Sequence, residues 1–470
     1  MRWSVRIIGL VSTLILVRIL KPEDFGIVTM AMLVVGLVEV IFDFGVTTVL
    51  IRDPDSTEED YSTAWTIQVI QGVFATIVLI IFSPVAVQYF DEPRLAPVFY
   101  WLALMTFITG FQNIGVVDFQ KNLELDKDYY FLVSVKIIAF FSTILAAYIL
   151  RNYWALIVGL ILGKASSVGI SYYAHQFRPR FTLSKKQEMW GFSKWLLIQH
   201  MGNYAQYNID QVVVGGRVSS GDLGIYNVAS EVASMPTSEL ITPLGRVLLP
   251  GFSKIKNDLV RVNDAFKRAL SVILILGFPV AVGVALVSKN IVPVILGEKW
   301  LAAIPIIKII ALVSTLYAVR YIFATILAAL GYFKLVAFAI WGQIILFLLL
   351  VFLVVSDGGM EEIAMARLIV SAIFTGILIW YTMLINVLNM SNLIEASWRS
   401  ATATSLMAIF LLFIDSYLPF SDAIVLMFKI FIGVVIYCAS IILLWILSGK
   451  PDSGEKFILS RIPFGVKGKV

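Results

Sequence analysis

Long apolar runs recur from one end of this chain to the other, separated by short polar turns. Each run is about 18 residues or longer, enough to cross the hydrocarbon core of a bilayer as a helix. Hydrocarbon offers unpaired backbone groups no partner, so such runs must close their own hydrogen bonds as helices. The pattern predicts fourteen spans, at roughly 3–20, 25–45, 62–83, 95–117, 130–150, 153–175, 191–216, 223–248, 264–288, 300–327, 331–355, 361–386, 397–417 and 422–447. The turns carry Asp, Gly and Pro, as in Asp91-Glu92-Pro93, Ser219-Ser220-Gly221-Asp222 and Asp357-Gly358-Gly359. The first run reads as a retained span and not as a signal peptide. Arg18 interrupts it, no small-residue cleavage site follows, and Pro22-Glu23-Asp24 reads as a turn. It is short and contains Arg6, which leaves open a start upstream of Met1.

Two distant stretches say nearly the same thing. Arg18-Ile19-Leu20-Lys21-Pro22-Glu23-Asp24-Phe25-Gly26-Ile27 joins the first run to the second. Arg217-Val218-Ser219-Ser220-Gly221-Asp222-Leu223-Gly224-Ile225 joins two later runs. Both share Asp, a large apolar residue, Gly and Ile, with Arg seven or eight residues upstream of the Gly. Six runs precede the second stretch, which suggests a duplicated six-span unit. An even number of spans returns the chain to its starting side, so the copies are parallel repeats, an arrangement suited to alternating access. The chain then divides into a six-helix bundle at 1–176, a cytoplasmic linker at 177–190, and a second six-helix bundle at 191–390. Two additional transmembrane helices follow at 391–448, and a cytoplasmic tail at 449–470.

Composition narrows the class. The chain is 59% hydrophobic and 14% charged, where soluble domains carry about 25% charged residues. Its mean hydropathy is +0.90. The formal charge of +5 is not a nucleic-acid signal, because the Lys and Arg residues concentrate in alternate loops. That asymmetry places both termini in the cytoplasm. The longest and most basic inner loops are 176–190, with Arg178, Arg180, Lys185 and Lys186, and 249–263. Cys438 is the only cysteine and lies in an apolar run, so neither an intrachain disulfide nor a thiol metal site is expected. No phosphate-binding glycine loop and no His-x-x-x-His pair occurs, and the only histidines are His175 and His200. No cofactor is expected. The longest outer loop, near 289–299, offers little for an enzyme to use.

The informative residues are polar groups at membrane depth, each costly unless it faces a cavity or a partner. Lys136, Arg367 and Lys429 lie about two turns from a predicted helix end, where a long side chain can snorkel to the interface. Lys164 is near mid-span, and Lys308 and Arg320 flank the middle of one helix, so a cavity-facing role is expected for these three. Arg6 joins them if its span is longer than it looks. Several cations around a cavity would attract a polyanion, and a diphosphate is the obvious kind. The seventh span places His200, Asn203, Tyr204, Tyr207 and Gln211 on one helix face. The stripe either lines a lumen and holds sugar hydroxyls or bonds neighbouring helices together. Asp210 lies beside it. The eighth span carries Glu231 and Glu239 on either side of Pro236. These acids either bind and release a proton or pair with Arg320 or Lys164. Glu39 and Asp43 lie toward the inner end of the second span, Asp43 nearer the interface.

With these residues in view, the chain resembles Wzx-type polysaccharide flippases of the multidrug/oligosaccharidyl-lipid/polysaccharide exporter superfamily, closest to the colanic-acid-type branch. The resemblance rests on the Arg18-to-Gly26 stretch and on Asn208-Ile209-Asp210 running into Gly216-Arg217 and Leu223-Gly224-Ile225-Tyr226. Leu249-Pro250-Gly251-Phe252-Ser253 and Leu296-Gly297-Glu298-Lys299-Trp300 add to it. It implies an all-α polytopic membrane fold, two six-helix bundles in a V plus two C-terminal helices, with a cationic cavity. It also implies export of an undecaprenyl-diphosphate-linked oligosaccharide, for O-antigen or exopolysaccharide, across the bacterial inner membrane. H+ or Na+ is the implied coupling ion, and a polysaccharide polymerase and export machinery are candidate partners. On this reading Arg6, Lys164, Lys308, Arg320, His200, Asn203 and Tyr207 bind cargo, and Asp210, Glu231 and Glu239 are candidate ion-coupling residues. The rivals are a drug or small-molecule cation antiporter on the same scaffold, and a membrane-embedded glycan polymerase or acyltransferase.

Overall fold

The computed structural model describes the backbone of residues 2–355, 358–415 and 422–461. Side chains 2, 3, 187–196, 198, 199, 240–246, 415 and 461 lie outside the description. Among the described residues there is no strand. By packing, the chain forms two compact units, Met1–Asn227 and Val228–Val470.

The first unit holds α1 (Arg2–Ile19), α2 (Pro22–Phe42), α3 (Val46–Arg52), α4 (Glu58–Phe90) and α5 (Leu95–Gly110). It continues through α6 (Asp118–Lys121), α7 (Leu125–Leu150), α8 (Trp154–Ala174), α9 (Lys186–Gly215) and the first turns of α10 (Ser220–Ile255). The second unit takes the rest of α10, then α11 (Leu259–Ile291), α12 (Ala303–Ala329), α13 (Phe333–Leu353) and α14 (Met360–Leu384). It ends with α15 (Met390–Asp415), α16 (Asp422–Leu447) and a short α17 (Gly454–Arg461). Ten described helices are long and apolar enough to cross a membrane, and a bent pair formed by α5 with the turn and helix at Ile114–Lys121 makes an eleventh. The other three apolar runs coincide with α1, α9 and α10. They are helical but do not reach that measure, and α1 carries Arg2, Arg6 and Arg18 within its 18 residues. The protein is thus an all-helical, multi-pass membrane protein.

Glycines set the helix spacing in the first unit. The two repeated stretches meet each other. A Cβ at Gly26 would overlap the Ser220 carbonyl oxygen, and a Cβ at Gly224 would overlap the Pro22 carbonyl oxygen. In each case the carbonyl belongs to the residue four positions before the partner glycine, so the crossing is reciprocal. Only a residue without a side chain allows backbones this close. The neighbouring turns are tied to the same end. The Asp24 carboxylate accepts the Lys21 N–H at 2.9 Å and the Tyr153 N–H at 2.8 Å, pinning the start of α2 to the start of α8. Arg94 bonds Glu92 at 2.7 Å and reaches Ser220 Oγ at 3.4 Å. The Arg94 guanidinium holds the Glu92 carboxyl below the usual carboxylate range. Elsewhere Gly72 packs on Gly110, while Gly159 and Gly163 clear Thr143 and Ala139 so that α7 and α8 lie close.

The 73° break after α5 is answered by two side chains, Gln68, which donates to the Gly110 and Gln112 carbonyls at 3.1 Å each, and Asn113. Asn113 is fully buried, accepts the Gly115 N–H at 2.9 Å and donates to the Phe177 carbonyl at 2.7 Å, while its own N–H donates to Ser171 Oγ at 3.0 Å. A bend at membrane depth is tolerated where protein groups replace the lost helical partners.

The second unit is built around α11, α12 and α14, with Phe252, Phe266, Leu270, Phe323 and Ile326 in one buried cluster. Phe266 and Phe323 meet edge to face, ring centroids 5.0 Å apart. Pro279 sits inside α11. Having no N–H, it leaves the carbonyl of Ile275, four residues back, without its helical donor. The Tyr437 hydroxyl of α16 donates to that carbonyl at 2.7 Å, and Ser400 of α15 donates to the Leu274 carbonyl at 2.7 Å. The last two spans thus cap the proline break. The chain then folds back, with α17 docked on α11 and α15. Arg399 (3% exposed) pairs with Glu455 (6%) at 2.7 Å, and Ser453 donates to the same carboxylate at 2.6 Å. A side chain at Gly454 would run into Ser271 and the Val272 N–H.

Burial pushes the Glu455 carboxyl up, but the hydrogen bonds from Arg399 and Ser453 outweigh it and hold the group below its ordinary value. A depressed folded pKa means that this pair stabilises above about pH 4.3 and loses its contribution as pH falls through the folded value. Arg399→Met alone strands a buried carboxylate and is expected to cost about 3–5 kcal/mol. Adding Glu455→Met should recover most of that loss and remove the acid sensitivity. Thermal unfolding in detergent between pH 7 and pH 3 checks both; a double variant no more stable than the single one would contradict the ion-pair account.

Candidate functional site

Two groups of cations at membrane depth are brought out by the packing, one in each unit. In the first, Gly9 of α1 leaves room for Lys136 of α7, whose Nζ lies 3.8 Å from where a Cβ on Gly9 would be. The Tyr129 hydroxyl bonds Ser4 Oγ at 3.1 Å, fixing α1 against α7. Gly163 packs on Ala139, one turn along α7 from Lys136, so Lys164 on α8 lies at nearly the same depth as Lys136. Both side chains are half-buried, and neither has a hydrogen bond or ion pair to a described residue. Lys136 therefore lies over Gly9 in a polar layer with Lys164. Arg6, one turn before Gly9, is exposed.

In the second unit, Arg320 is buried, at 8% exposure. Its guanidinium donates to Gln343 Oε1 and lies 5.4 Å from the Tyr317 ring centroid. Gln343 in turn reaches Ser371 Oγ at 3.5 Å. The chain runs across α12, α13 and α14, and no described carboxylate pairs with the arginine. Lys308 is half-buried, also without a described hydrogen-bonding or ionic partner. It lies twelve residues before Arg320, about 18 Å along the helix, so the two do not share a locus. Lys429 does not snorkel. It is 2% exposed and donates to Asn290 Oδ1 at 2.8 Å, and Asn290 donates to Asp422 at 2.9 Å.

The polar stripe of α9 divides in two. Tyr204 donates its hydroxyl to the Leu33 carbonyl at 2.7 Å, in the space left by Gly36. His200 Nδ1 lies 3.4 Å from Asp43 Oδ2. These two residues tie α9 to α2. Asn203 and Tyr207 are exposed, Tyr207 at 55%. Asp210 is fully buried and its Oδ2 accepts the Tyr226 hydroxyl at 2.6 Å, which ties α9 to α10. Glu231 is exposed and Glu239 half-buried. Among the described residues no group of His, Cys, Asp and Glu is arranged to hold a metal ion. Sequence reasoning passed over one further cluster, at the end of the first unit where α4 begins and α8 ends. Tyr61 donates to Asp118, Asp118 lies 3.3 Å from His175 Nε2, and the Phe177 N–H donates to His175 Nδ1 at 3.1 Å. Three short stretches far apart in sequence meet there, and no local spacing announces them.

Residues 15–305 match the family described as "Polysaccharide biosynthesis protein". The chain belongs to this family. Similar members include the lipopolysaccharide biosynthesis protein WzxC of Escherichia coli K12, 28% identical over 320 residues. That match covers 66% of this chain and 64% of WzxC. The teichuronic acid biosynthesis protein TuaB of Bacillus subtilis 168 is 25% identical over 376 residues, 79% of this chain and 78% of TuaB. The succinoglycan biosynthesis transport protein ExoT of Rhizobium meliloti 1021 is 25% identical over 308 residues, 64% of this chain and 62% of ExoT. A solved structure of the lipid II flippase MurJ, in an inward closed conformation, has a similar fold, with a TM-score of 0.73, 15% identity, and 94% of this chain and 97% of MurJ covered.

The stripe's division is testable. Tyr226→Phe removes the donor from a fully buried carboxylate and is expected to cost about 1.5–3 kcal/mol. Asn203→Ala and Tyr207→Ala should stay within about 0.5 kcal/mol of the parent. Melting of the purified variants in detergent reads both, and a silent Tyr226→Phe would remove Asp210 from the structural frame.

Proposed function

We propose that the protein is a flippase that moves an undecaprenyl-diphosphate-linked oligosaccharide across the bacterial inner membrane by alternating access. The observation that carries this is the set of cations within the spans that pair with no described carboxylate: Lys136 and Lys164 in the first unit, Lys308 and Arg320 in the second. A base held there without a counter-charge is costly, and an anionic cargo offsets that cost by supplying the missing charge. A diphosphate offers several acceptor oxygens to ammonium and guanidinium groups. The exposed Asn203 and Tyr207 are suited to sugar hydroxyls. Membership of the polysaccharide biosynthesis family and relatives named for lipopolysaccharide and succinoglycan work support a glycan cargo. A transporter is favoured over an enzyme. An antiporter of cationic drugs fits poorly with a surplus of bases within the spans.

Fourteen spans with both termini in the cytoplasm are part of the same proposal, as are partners in glycan polymerisation and export. Coupling to a proton or sodium gradient is included, because the sequence has no phosphate-binding loop through which a nucleotide could drive transport.

Deleting the gene should cause a lipid-linked oligosaccharide diphosphate to accumulate in the inner membrane, read by mass spectrometry of extracted lipids. Complementation with Lys164→Gln or Lys308→Gln should fail at normal protein levels, while Lys164→Arg and Lys308→Arg restore export. Absence of any accumulated intermediate after deletion would overturn the reading. Full export by the Gln variants would remove the cations from it.

A further inference from the structure

The contact between α2 and α9 holds a titratable pair that no catalogue of cargo-binding cations would include. Glu39 and Asp43 stand four residues apart at the inner end of α2, on one helix face. Asp43 closes that helix, and its Oδ1 accepts the Gly45 N–H at 2.9 Å. Its other oxygen, Oδ2, lies 3.4 Å from His200 Nδ1 on α9. One turn along α9, Tyr204 is locked to the Leu33 carbonyl above Gly36, with Glu39 near enough for its charge to be felt at the phenol. Tyr204 fixes the register of the two helices, and the histidine-carboxylate contact is the next one toward the end of α2.

Asp43 faces the imidazole from α2, and Glu39 lies one turn earlier on the same helix. Of the other helices packed against α9, α3 has Arg52 as its only charged residue, and α4 carries no charge after Asp60. The pair is also reachable, with side chains 34% exposed at His200 and 51% at Asp43, so water can deliver and remove a proton. An imidazole is the side chain that changes charge near neutral pH without special help. Asp210 differs in both respects, being sealed from solvent and already bonded to Tyr226.

We propose that His200, held by Asp43 with Glu39 beside it, is a proton-binding site that couples the proposed transport to a proton gradient. With the proton bound, imidazolium and carboxylate attract and α9 is held to α2. When the proton leaves, the attraction is lost while Tyr204 still holds the two helices in register, so the lower part of the contact can part. The ligand is a proton and no covalent step is involved. The inference rests on the flippase reading.

The test uses the full chain in two readouts. The first is hydrogen-deuterium exchange in detergent at pH 6 and pH 8, corrected for intrinsic exchange rates. Amides of α9 around 200–208 should be more protected at pH 6 in the parent, and the difference should vanish in Asp43→Asn and in His200→Gln. Equal protection at both pH values in the parent overturns the pair as a proton sensor, whatever the protein transports. The second is flipping of a fluorescent lipid-linked diphosphate sugar in proteoliposomes, expressed as the ratio of rates with and without an imposed pH gradient. That ratio should fall to one in Asp43→Asn and His200→Gln and be kept in Asp43→Glu. Variants that keep the full ratio overturn the coupling role. A parent that flips nothing under any condition sinks the transport reading and the coupling with it, while the exchange data still decide whether the pair senses protons.

Discussion

Inside the hydrocarbon layer no water is available to repair a broken helix, so every carbonyl and N–H released by a bend must find its partner within the chain. Much of this molecule is arranged around that constraint. The proline of α11 releases the Ile275 carbonyl, and the cost of leaving it bare would be comparable to a lost buried hydrogen bond. Tyr437 answers it from α16, and Ser400 serves the next carbonyl back from α15. α15 and α16 therefore have a physical task in the unit they join. The break after α5 is answered in the same way by Gln68 and by Asn113, which has all of its polar groups engaged.

Where helices run unbroken, the constraint changes form. Lipid tails are as apolar as leucine, so burial against lipid and burial against protein differ little, and close packing has to hold helices together. That is the role of the glycines at 26, 72, 110, 159, 163 and 224. The Gly26 and Gly224 crossing shows why the repeated motif keeps its glycine. The two copies lie against each other, and each needs a bare backbone because the other copy's carbonyl occupies the space. The motif's acid is kept in the first copy for a different reason, since Asp24 seals two turns through their N–H groups.

Much of this was legible in the sequence and some was not, for identifiable reasons. Apolar run length is a local property, so the helices fell close to where the runs predict them. The break near Asn113 could not be seen, because a bent span and a straight one have the same hydropathy. Lys429 was indistinguishable from a snorkelling lysine by its distance from a helix end, since its partner Asn290 is on another helix. The periodicity of α9 predicts a stripe, but a stripe does not say which of its members meet a neighbour. Tyr204 and His200 bond to α2, while Asn203 and Tyr207 are exposed and make no polar contact with a described residue. Arg399 and Glu455 lie at opposite ends of the last two spans, and only the folding back of α17 brings them together.

The same physics separates the charges that stabilise from those that work. A buried ion is tolerated when a carboxylate answers its field, as Glu455 does for Arg399 directly and Asp422 does for Lys429 through Asn290. Such groups are explained by the fold alone. Lys164 and Lys308 are half-buried yet make no hydrogen bond or ion pair to a described residue, and Arg320 is met by an amide and a phenol ring and by no carboxylate. An amide oxygen satisfies a donor without cancelling its charge, so the arginine keeps its field. These groups stabilise nothing that an alkyl chain would not stabilise as well or better. On the proposed reading, the charge that offsets them arrives with an anionic cargo.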